Sequence, residues 1–351
     1  MPNYLSSHYE EIKKTGRLPL PRIVAIEPTY KCNLFCSTCF YKKSSDNRPE
    51  LKAEHFINFL QKIPNLTFVG FPGREPLLKE DFLKIVAYLS EKNIPMRLLT
   101  NGTLVTSKNA PKVVYDKNNR IMLSLDGTRM VHNKIRGTSF AYDRVIKAVS
   151  LLKNKCRLDV VCVINEKNLK TLWRLPAIIK ELGLKKIIFE YERRYTGNDV
   201  VKSSRTMGGF GFADLKLSKS AKPKYSLAEL RKNIEKMEKE AVKSAVEVGY
   251  LPVYFKKEMG NMYRRSLRKK YKCTCDYLDK TRIDPVGNYI HCFALRKPFG
   301  NILVSSLEET WNSRQYINFR KRILKNNLLP ICETCWCLLP VAKIKGISDK
   351  I

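Results

Sequence analysis

The sequence predicts an α/β fold in which parallel strands alternate with helices, as a partial barrel of six βα units or an open parallel sheet. Six short apolar runs within residues 20–200 have the length of strands and recur roughly every 25 to 45 residues. Helical patterns lie between them. The runs are mostly continuously apolar rather than alternating, which is expected of strands buried on both faces of a sheet.

Each predicted element follows from its local pattern. The last two apolar runs are rich in β-branched residues, which favour strands. The predicted strands are 23–26, 66–69, 96–99, 121–123, 160–164 and 187–189. The predicted helices between them are 54–63, 81–92, 142–153 and 169–182.

Residues 201–270 differ in composition and are predicted to form a basic insertion or linker with one helix. Lys, Ser and Gly dominate 201–224 without a clear period. Ser226 followed by Glu229 is a capping-box signature, which predicts a helix over 227–248. Six of the ten residues in 263–272 are basic, which is compatible with a nucleic-acid contact but more often forms a solvated turn.

Composition excludes several classes of protein. The 351 residues are 44% hydrophobic and 28% charged, which is typical of a globular chain rather than a disordered one. No run of about 18 apolar residues and no signal peptide is present, so we expect a cytoplasmic protein without a membrane span. The net charge of +33 is compatible with an anionic substrate or nucleic acid, but its spread along the chain favours compositional bias.

Eleven cysteines are many for a chain without an export signal, and their odd number argues against a disulfide framework. Cys32, Cys36 and Cys39 follow the first strand with the spacing Cys-x3-Cys-x2-Cys. Three thiolates so close in sequence can surround one soft metal centre. A structural zinc site requires four protein ligands, so three ligands indicate a centre with a position open to a small chelating molecule.

The segment 27–39 resembles the cysteine motif of the radical S-adenosylmethionine (radical SAM) superfamily. The resemblance implies that Cys32, Cys36 and Cys39 hold a [4Fe–4S] cluster. It also implies that the fourth iron chelates the amino and carboxylate groups of S-adenosylmethionine. Thr38 departs from the family, which often has an aromatic residue there against the adenine, and Phe40 is the candidate substitute.

Further segments resemble the same family. Residues 70–76 resemble its Gly-Gly-Glu-Pro segment, although Arg74 replaces the second glycine. Gly73 would let the backbone approach a ligand, and Glu75 can pair with an ammonium group. The resemblance assigns further cofactor contacts to residues that follow later strands: Thr100, Asn101, Ser124, Asp126 and Asn165. Of these, Ser124 and Asp126 are the expected ribose contacts.

These motifs share one position relative to the predicted strands. Each falls at the carboxyl end of a parallel strand, as does the segment 132–137, which also resembles the family. Active sites of βα barrels and open α/β sheets are built at that end. The placement therefore predicts one common site, independently of the resemblance.

A second group of cysteines occupies the C-terminal part of the chain: Cys273, Cys275, Cys292, Cys332, Cys335 and Cys337. The order Cys, Gly-x4-Cys, Cys-x2-Cys is similar to that of the auxiliary-cluster domains called SPASM and twitch. The full SPASM pattern has seven cysteines and two auxiliary clusters, whereas this region has six cysteines. The resemblance therefore implies one auxiliary [4Fe–4S] cluster rather than two.

The most probable ligands of that cluster by resemblance are Cys275, Cys292, Cys332 and Cys335. Cys273 is an alternative to Cys275, since only one residue separates them. The same four thiolates are compatible with a structural zinc knuckle. Gly287 followed by Asn288 predicts a hairpin turn between two short strands.

The resemblance completes the predicted organisation. We expect an N-terminal extension over 1–19, a radical SAM partial (β/α)6 barrel over 20–200 and the basic linker over 201–270. A small, cysteine-rich α+β auxiliary-cluster domain is expected over 271–345.

The resemblance also implies a reaction. An external one-electron donor of the flavodoxin or ferredoxin type would reduce the cluster, and cleavage of S-adenosylmethionine would give a 5′-deoxyadenosyl radical that abstracts hydrogen from a substrate. Cys273 or Cys337 is a candidate hydrogen donor to the product radical.

We favour a peptide or protein substrate, as in the maturation of ribosomal peptides. The alternatives are a small molecule such as a sugar or nucleotide, and RNA. The remaining alternative is a zinc-containing basic nucleic-acid-binding protein, which would bind zinc in place of iron.

Overall fold

Ten strands form one mixed sheet in the described part of the chain. The computed structural model describes residues 12, 14–41, 48–208, 211, 215–253, 255–267, 271–273, 280–326, 328–335 and 337–340. The strands of the sheet are β1 (Ile23–Ile26), β2 (Phe68–Phe71), β3 (Met96–Thr100), β4 (Arg120–Ser124), β5 (Arg157–Ile164), β6 (Lys186–Tyr191), β7 (Glu247–Leu251), β9 (Lys280–Ile283), β10 (Asn288–Ile290) and β11 (Pro298–Asn301). Strands β8 (Tyr271–Cys273) and β12 (Leu338–Pro340) form a separate two-stranded sheet.

Helices connect these strands. Those up to β6 are α1 (Ala53–Gln61), α2 (Phe82–Glu91), α3 (Ala110–Val113), α4 (Arg129–Arg136), α5 (Ala141–Leu152) and α6 (Leu175–Glu181). Those that follow β6 are α7 (Gly197–Met207), α8 (Leu227–Lys243), α9 (Phe255–Arg264), α10 (Leu307–Trp311) and α11 (Arg314–Asn326). Within the described ranges, three short 3₁₀ helices cover Pro76–Leu78, Leu169–Arg174 and Pro330–Thr334.

The strand order is β11-β10-β9-β1-β2-β3-β4-β5-β6-β7. Strands β1 to β7 pair in sequence order and are all parallel. Their carboxyl ends therefore lie along one edge of the sheet, where loops from several strands can build a common site. The sheet is open in the described residues, with β11 and β7 at its two edges.

The C-terminal region continues this sheet. Strand β9 pairs in parallel with β1, and Ile23 lies opposite Lys280. Strands β10 and β11 follow as an antiparallel extension. The backbone N–H of Glu27 donates to Ile283 O at 2.9 Å, which extends the β1–β9 pairing beyond the end of β1.

The core lies between the sheet and its helices. Helix α1 buries Phe56, Phe59 and Leu60, and α2 buries Ile85 and Leu89, which have the three- and four-residue spacing of an amphipathic helix. The strands contribute continuously apolar runs. Their burial confirms the predicted α/β fold with parallel strands.

The six predicted strands all form, with bounds that differ by up to three residues. The predicted helix 169–182 is a 3₁₀ helix over Leu169–Arg174 followed by α6, which has Pro176 in its first turn. Proline has no N–H to continue an earlier helix, but it is well accommodated at the start of a new one.

The predicted helix 227–248 is too long. Its capping box at Ser226 and Glu229 is present, but α8 ends at Lys243. Ala245 has φ 53°, a left-handed conformation that stops the helix. The chain then enters β7, where Val248 pairs with Ile187 of β6.

The segment 201–270 contains more structure than one helix. It includes the end of α7, both α8 and α9, and the strand β7 that completes the run of parallel strands. The sequence did not predict β7 because this strand lies at a sheet edge and buries its side chains only partly, so it lacks a continuous apolar run.

The predicted hairpin around Gly287 forms, with β9 and β10 antiparallel. No described helix combines the length and the apolarity needed to cross a membrane. The predicted extension 1–19 lies largely outside the described residues, and Cys275 lies wholly outside them.

Gly287 tests how tightly the hairpin packs. It has φ 85°, and an added Cβ would lie 2.6 Å from Leu51 Cδ1 and 3.0 Å from Ile302 Cγ1. Gly183 is the matched control, because it has φ 72° but nothing within 4 Å of an added Cβ. We expect Gly287→Ala to lower the free energy of unfolding by about 1–3 kcal/mol more than Gly183→Ala in denaturant titrations. Equal losses would show that only backbone strain acts at Gly287.

Candidate active site

A cavity of about 610 Å³ opens at the carboxyl ends of the parallel strands. Its wall combines the cysteine loop after β1, the glycine turn after β2 and side chains near the ends of β3 to β6. The lining residues used below are Cys32, Cys36, Cys39, Phe40, Tyr41, Gly73, Arg74, Glu75, Leu99, Thr100, Asn101, Ser124, Arg136, Val161, Val163, Glu190, Arg193 and Lys216.

The three cysteines of the first motif line the same cavity, and none of them is in a disulfide. Their loop is fixed by backbone hydrogen bonds to the end of α4: Ser37 N donates to Ile135 O at 2.8 Å. The predicted convergence of Cys32, Cys36 and Cys39 is therefore present in the structure.

Side-chain amides hold the cysteine loop against the end of β3. Asn101 Nδ2 donates to Asn33 Oδ1 at 2.9 Å, and Asn33 Nδ2 donates to Thr103 Oγ1 at 2.8 Å. Asn101 thus has two contacts that bear on the site, because its backbone N–H also donates to Glu75 Oε2 at 2.8 Å. The loop and the glycine turn share one hydrogen-bonded network.

Burial raises the pKa of Cys32 to about 11 and also raises the pKa of Cys39. Both thiols are consequently protonated near neutral pH unless a cation binds them. The charge of a bound metal centre would overcome this effect, since coordination deprotonates a thiol outright. The Nη1 of Arg136 donates to Cys36 Sγ at 3.6 Å.

Arg136 is itself held by a fully buried carboxylate. Its Nε donates to Asp126 Oδ2 at 2.7 Å, and Val163 N donates to Asp126 Oδ1 at 3.2 Å. Burial, followed by the charge of Arg136, lowers the pKa of His132 to about 4, so this imidazole is neutral. Its Nδ1 accepts from Asp126 N at 3.1 Å. The predicted 132–137 segment thereby supports the cysteine loop.

Glu75 is a buried acceptor at the glycine turn. Its Oε1 accepts from Thr100 Oγ1 at 2.8 Å and from Leu77 N at 3.2 Å. Burial raises the pKa of Glu75 to about 7, against the hydrogen bonds from Asn101, Thr100 and Leu77, which favour the carboxylate. A ligand ammonium beside this group would shift it fully to the ionised form.

Gly73 lies where no side chain fits. It has φ 107°, and an added Cβ would lie 2.7 Å from Glu27 Cγ. Glu27 has no exposed surface and accepts hydrogen bonds from the Tyr41 hydroxyl and the Arg296 guanidinium. Burial raises the pKa of Glu27, and Arg296 and Tyr41 oppose that effect. This group joins the cysteine loop and the glycine turn to the C-terminal region.

The remaining cofactor positions divide into two sets. Thr100, Asn101, Ser124 and Phe40 line the cavity, as the resemblance implied. Asp126 is not on the wall, because its oxygens are taken by Arg136 and the backbone of Val163, so its expected ribose contact has no support in the geometry.

Asn165 is also not on the cavity wall. Its Oδ1 accepts from Lys167 N at 2.9 Å and its Nδ2 donates to Val163 O at 2.7 Å, so it ends β5.

The C-terminal cysteines gather around the β8–β12 pair. Cys273 of β8 pairs with Leu338 of β12, and Leu338 is the residue that follows Cys337. Cys337 N donates to Cys335 Sγ at 3.3 Å. Burial raises the pKa of Cys292 to about 11, and the nearby Cys273 adds to this effect. Cys332 and Cys335 belong to the same stretch, because Cys335 N donates to Cys332 O at 2.9 Å.

This grouping bears on the proposed hydrogen donors. Cys273 and Cys337 do not line the cavity but lie among the other C-terminal cysteines. The donor role therefore lacks geometric support, and both become candidates for the ligand set. Cys275 is outside the described residues.

Several wall residues were not identified from the sequence. Tyr41, Arg193 and Lys216 need the fold to bring them to the cavity. Glu190 had a readable signal: it is the first charged residue after the apolar run 187–189. It therefore occupies the carboxyl end of a parallel strand, as Ser124 does.

The donor set fits an iron–sulfur cluster with a chelating ligand. Within the described residues, no group of three Cys, His, Asp or Glu side chains could hold a single metal ion. The thiols of Cys32, Cys36 and Cys39 instead lie along a cavity of about 610 Å³, which has room for a larger cluster. Glu75, oriented by donors at the end of β3, supplies an acceptor for an ammonium group beside them.

Family models identify both cysteine regions. Residues 26–175 match the Radical SAM superfamily, and residues 273–336 match the SPASM iron–sulfur cluster-binding domain. The chain carries a Radical SAM domain and a SPASM domain. These two domains imply [4Fe–4S] clusters and S-adenosylmethionine as cofactors, in agreement with the resemblance.

Two curated relatives of this chain are named for different activities. It is 30% identical over 169 residues to the AdoMet-dependent heme synthase of Methanosarcina barkeri, which covers 46% of this chain and 48% of that protein. It is 25% identical over 171 residues to the mycofactocin maturase MftC of Mycolicibacterium smegmatis, covering 47% and 43% respectively. The chain thus matches about half the length of these relatives.

The fold is also similar to solved structures. The Streptococcus suis protein SuiB bound to its precursor peptide SuiA superposes with a TM-score of 0.65 at 18% identity. The match covers 94% of this chain and 74% of SuiB. At this identity the likeness concerns the fold alone.

Arg296→Met tests the buried pair with Glu27. The change leaves the Glu27 carboxylate without its cation, so we expect the free energy of unfolding to fall by about 3–5 kcal/mol. Arg314→Met removes an exposed arginine and should change it by less than about 0.5 kcal/mol. Denaturant titration of both variants measures the difference, and equal stabilities would contradict a stabilising role for the pair.

Glu190→Gln tests the raised pKa of Glu190. Burial raises this pKa to about 7, while Arg193, Arg136 and Arg97 lower it and Asp126 raises it further. Because the folded-state pKa exceeds the unfolded one, stability is lost as the pH rises through 7. We expect wild type to lose about 1 kcal/mol more than Glu190→Gln between pH 6 and 8 in denaturant titrations.

Glu229→Gln is the control for this pH dependence. Its hydrogen bonds with Ser226 lower the pKa of Glu229, so its titration is complete below pH 6 and the wild-type slope should remain. A Glu190→Gln slope equal to that of wild type would contradict the prediction.

Proposed function

We propose that this protein is an enzyme that cleaves S-adenosylmethionine reductively and abstracts hydrogen from a peptide or protein substrate. The observation that carries the proposal is the convergence of Cys32, Cys36 and Cys39 with Glu75 on one cavity wall. When bound, the cluster and S-adenosylmethionine supply an electron and a 5′-deoxyadenosyl radical. An external one-electron donor is part of this proposal.

Residues of the chain would perform the binding and positioning. Glu75 would accept a hydrogen bond from the ammonium group of the ligand. Thr100 Oγ1 and Asn101 N each donate to the Glu75 carboxylate at 2.8 Å and fix its orientation. Arg136 directs its guanidinium at Cys36 and is held in place by Asp126. Such prearranged donors act without reorganisation when charge develops.

Apolar side chains would exclude water from the reacting centre. Leu99, Val161 and Val163 line the cavity beside its polar groups. A dry wall limits side reactions of reactive species and strengthens the electrostatic interactions within the site. The C-terminal cysteines are proposed to hold an auxiliary cluster, with Cys273 and Cys337 as candidate ligands beside Cys292, Cys332 and Cys335.

Two similarities support a peptide substrate. SuiB is known in complex with a precursor peptide, and its fold covers 94% of this chain. MftC, named as a maturase, is a sequence relative. A small-molecule substrate is the second candidate, because the heme synthase of Methanosarcina barkeri is 30% identical over the matched region.

Anaerobic reconstitution with iron and sulfide tests radical initiation. We expect wild type to form 5′-deoxyadenosine from S-adenosylmethionine and dithionite. A variant with Cys32, Cys36 and Cys39 changed to Ala should form none above the enzyme-free background, because it lacks the thiolates that would hold the cluster. Cys156→Ala, outside both cysteine groups, is the control that should keep the wild-type rate. Zinc in place of iron, or product from the triple variant, would overturn the proposal.

Deuterium transfer tests the substrate class. The enzyme is incubated with a perdeuterated extract of the cells that encode it, separated into peptide and small-molecule fractions. We expect deuterium in the 5′-deoxyadenosine only with the peptide fraction, because the abstracted atom is retained in that product. Label from the small-molecule fraction alone would favour the second candidate.

A further inference from the structure

Glu190 is a carboxylate of the cavity wall that has no assigned task. It lies near the end of β6 and is 5% exposed. Of the two acidic side chains on the described wall, Glu75 accepts three hydrogen bonds, whereas Glu190 accepts none from a described residue. Its acceptor oxygens are therefore open toward the cavity.

Three cations of the cavity wall contact other groups. Arg136 binds Asp126 at 2.7 Å, and Lys216 Nζ donates to Ser37 O at 2.7 Å. The guanidinium of Arg193 lies over the Phe40 ring, 4.4 Å from its centroid. None of the three forms an ion pair with Glu190 within the described residues, although the charges of Arg193 and Arg136 stabilise its ionised form from a greater distance.

Apolar residues flank this carboxylate. In the β5–β6 register Val163 lies opposite Glu190, and Val161 lies two residues earlier on the same face of β5. Both valines line the cavity. A charged end beside an apolar wall fits a ligand with an aliphatic stem and a polar head.

Glu190 is also separate from the cofactor positions. Those positions, including Glu75, Thr100 and Ser124, lie in the glycine turn after β2 and at the ends of β3 and β4. Glu190 and its valines come from β5 and β6. The cavity thus has a second polar site at its other strands, as a substrate beside a bound cofactor would require.

We propose that Glu190 is the substrate-anchoring residue of this cavity and that it binds an alkylammonium group, such as a lysine-type side chain or a free amine. A buried carboxylate without a hydrogen-bond partner is costly, and a cationic nitrogen donor is the strongest such partner. The inference rests on the proposed function, since it names the chemistry of the substrate that the same cavity takes.

The test uses cluster-loaded, S-adenosylmethionine-bound protein at pH 7.5 and ligand-observed NMR titration. The probes are butylammonium and its neutral counterpart 1-butanol. We expect wild type to bind butylammonium about tenfold more tightly than 1-butanol, because a charge-assisted hydrogen bond replaces a neutral one. Glu190→Gln should lose this preference.

Glu192→Gln is the matched control. It removes the same charge two residues away, from a carboxylate that accepts from Arg194 Nη1 at 3.1 Å and does not line the cavity. It should keep the tenfold preference. Iron content and melting temperature are measured for each variant, so that a misfolded Glu190→Gln is recognised and replaced by Glu190→Asp, which should retain a weakened preference.

The outcomes separate the two proposals. Equal binding of both probes by wild type, or an unchanged preference in Glu190→Gln, overturns the role of Glu190. Formation of 5′-deoxyadenosine by wild type is measured in the same preparations. Its absence overturns the proposed function, whereas its presence with no amine preference overturns only the anchoring role.

Discussion

Both the cysteine loop and the glycine turn depend on contacts with the buried carboxylate of Glu27. Three segments that are distant in sequence meet there: the end of the cysteine loop through Tyr41, the glycine turn through Gly73, and the C-terminal region through Arg296. An ion so completely removed from water is stable only while its partners stay in place. The geometry of the cysteine loop is therefore set by an arginine of the SPASM region.

Burial of the site carboxyl groups affects their pKa values more than the net charge of the protein does. A net charge of +33 should lower the pKa of every carboxyl group. Burial nevertheless raises the pKa of both Glu75 and Glu190 to about 7. The surrounding charges are exposed to solvent and screened over about 8 Å at physiological salt, whereas the cavity wall is not. The chemistry of the site is thus set by its immediate neighbours.

Short-range patterns carried most of what the sequence predicted. The strands were readable because both faces are buried, and the first cysteine motif because its ligands lie within eight residues. The contact of Asp126 with Arg136 could not be predicted for the opposite reason: Arg136 belongs to a helix whose orientation no local pattern specifies. The pairing of Arg296 with Glu27 spans 269 residues and was equally inaccessible. Strand β7 was missed because an edge strand is only partly apolar.

The pairing of β1 with β9 has a consequence for biosynthesis. In this parallel register Ile23 lies opposite Lys280. The ribosome adds Lys280 257 residues after Ile23. At 5–20 residues per second, ribosomes need roughly 13–50 s to cover that distance. During this interval one edge of the nascent sheet has unsatisfied amides and carbonyls, which can template intermolecular aggregation. High contact order at this seam therefore delays completion of the sheet until the C-terminal region has been made.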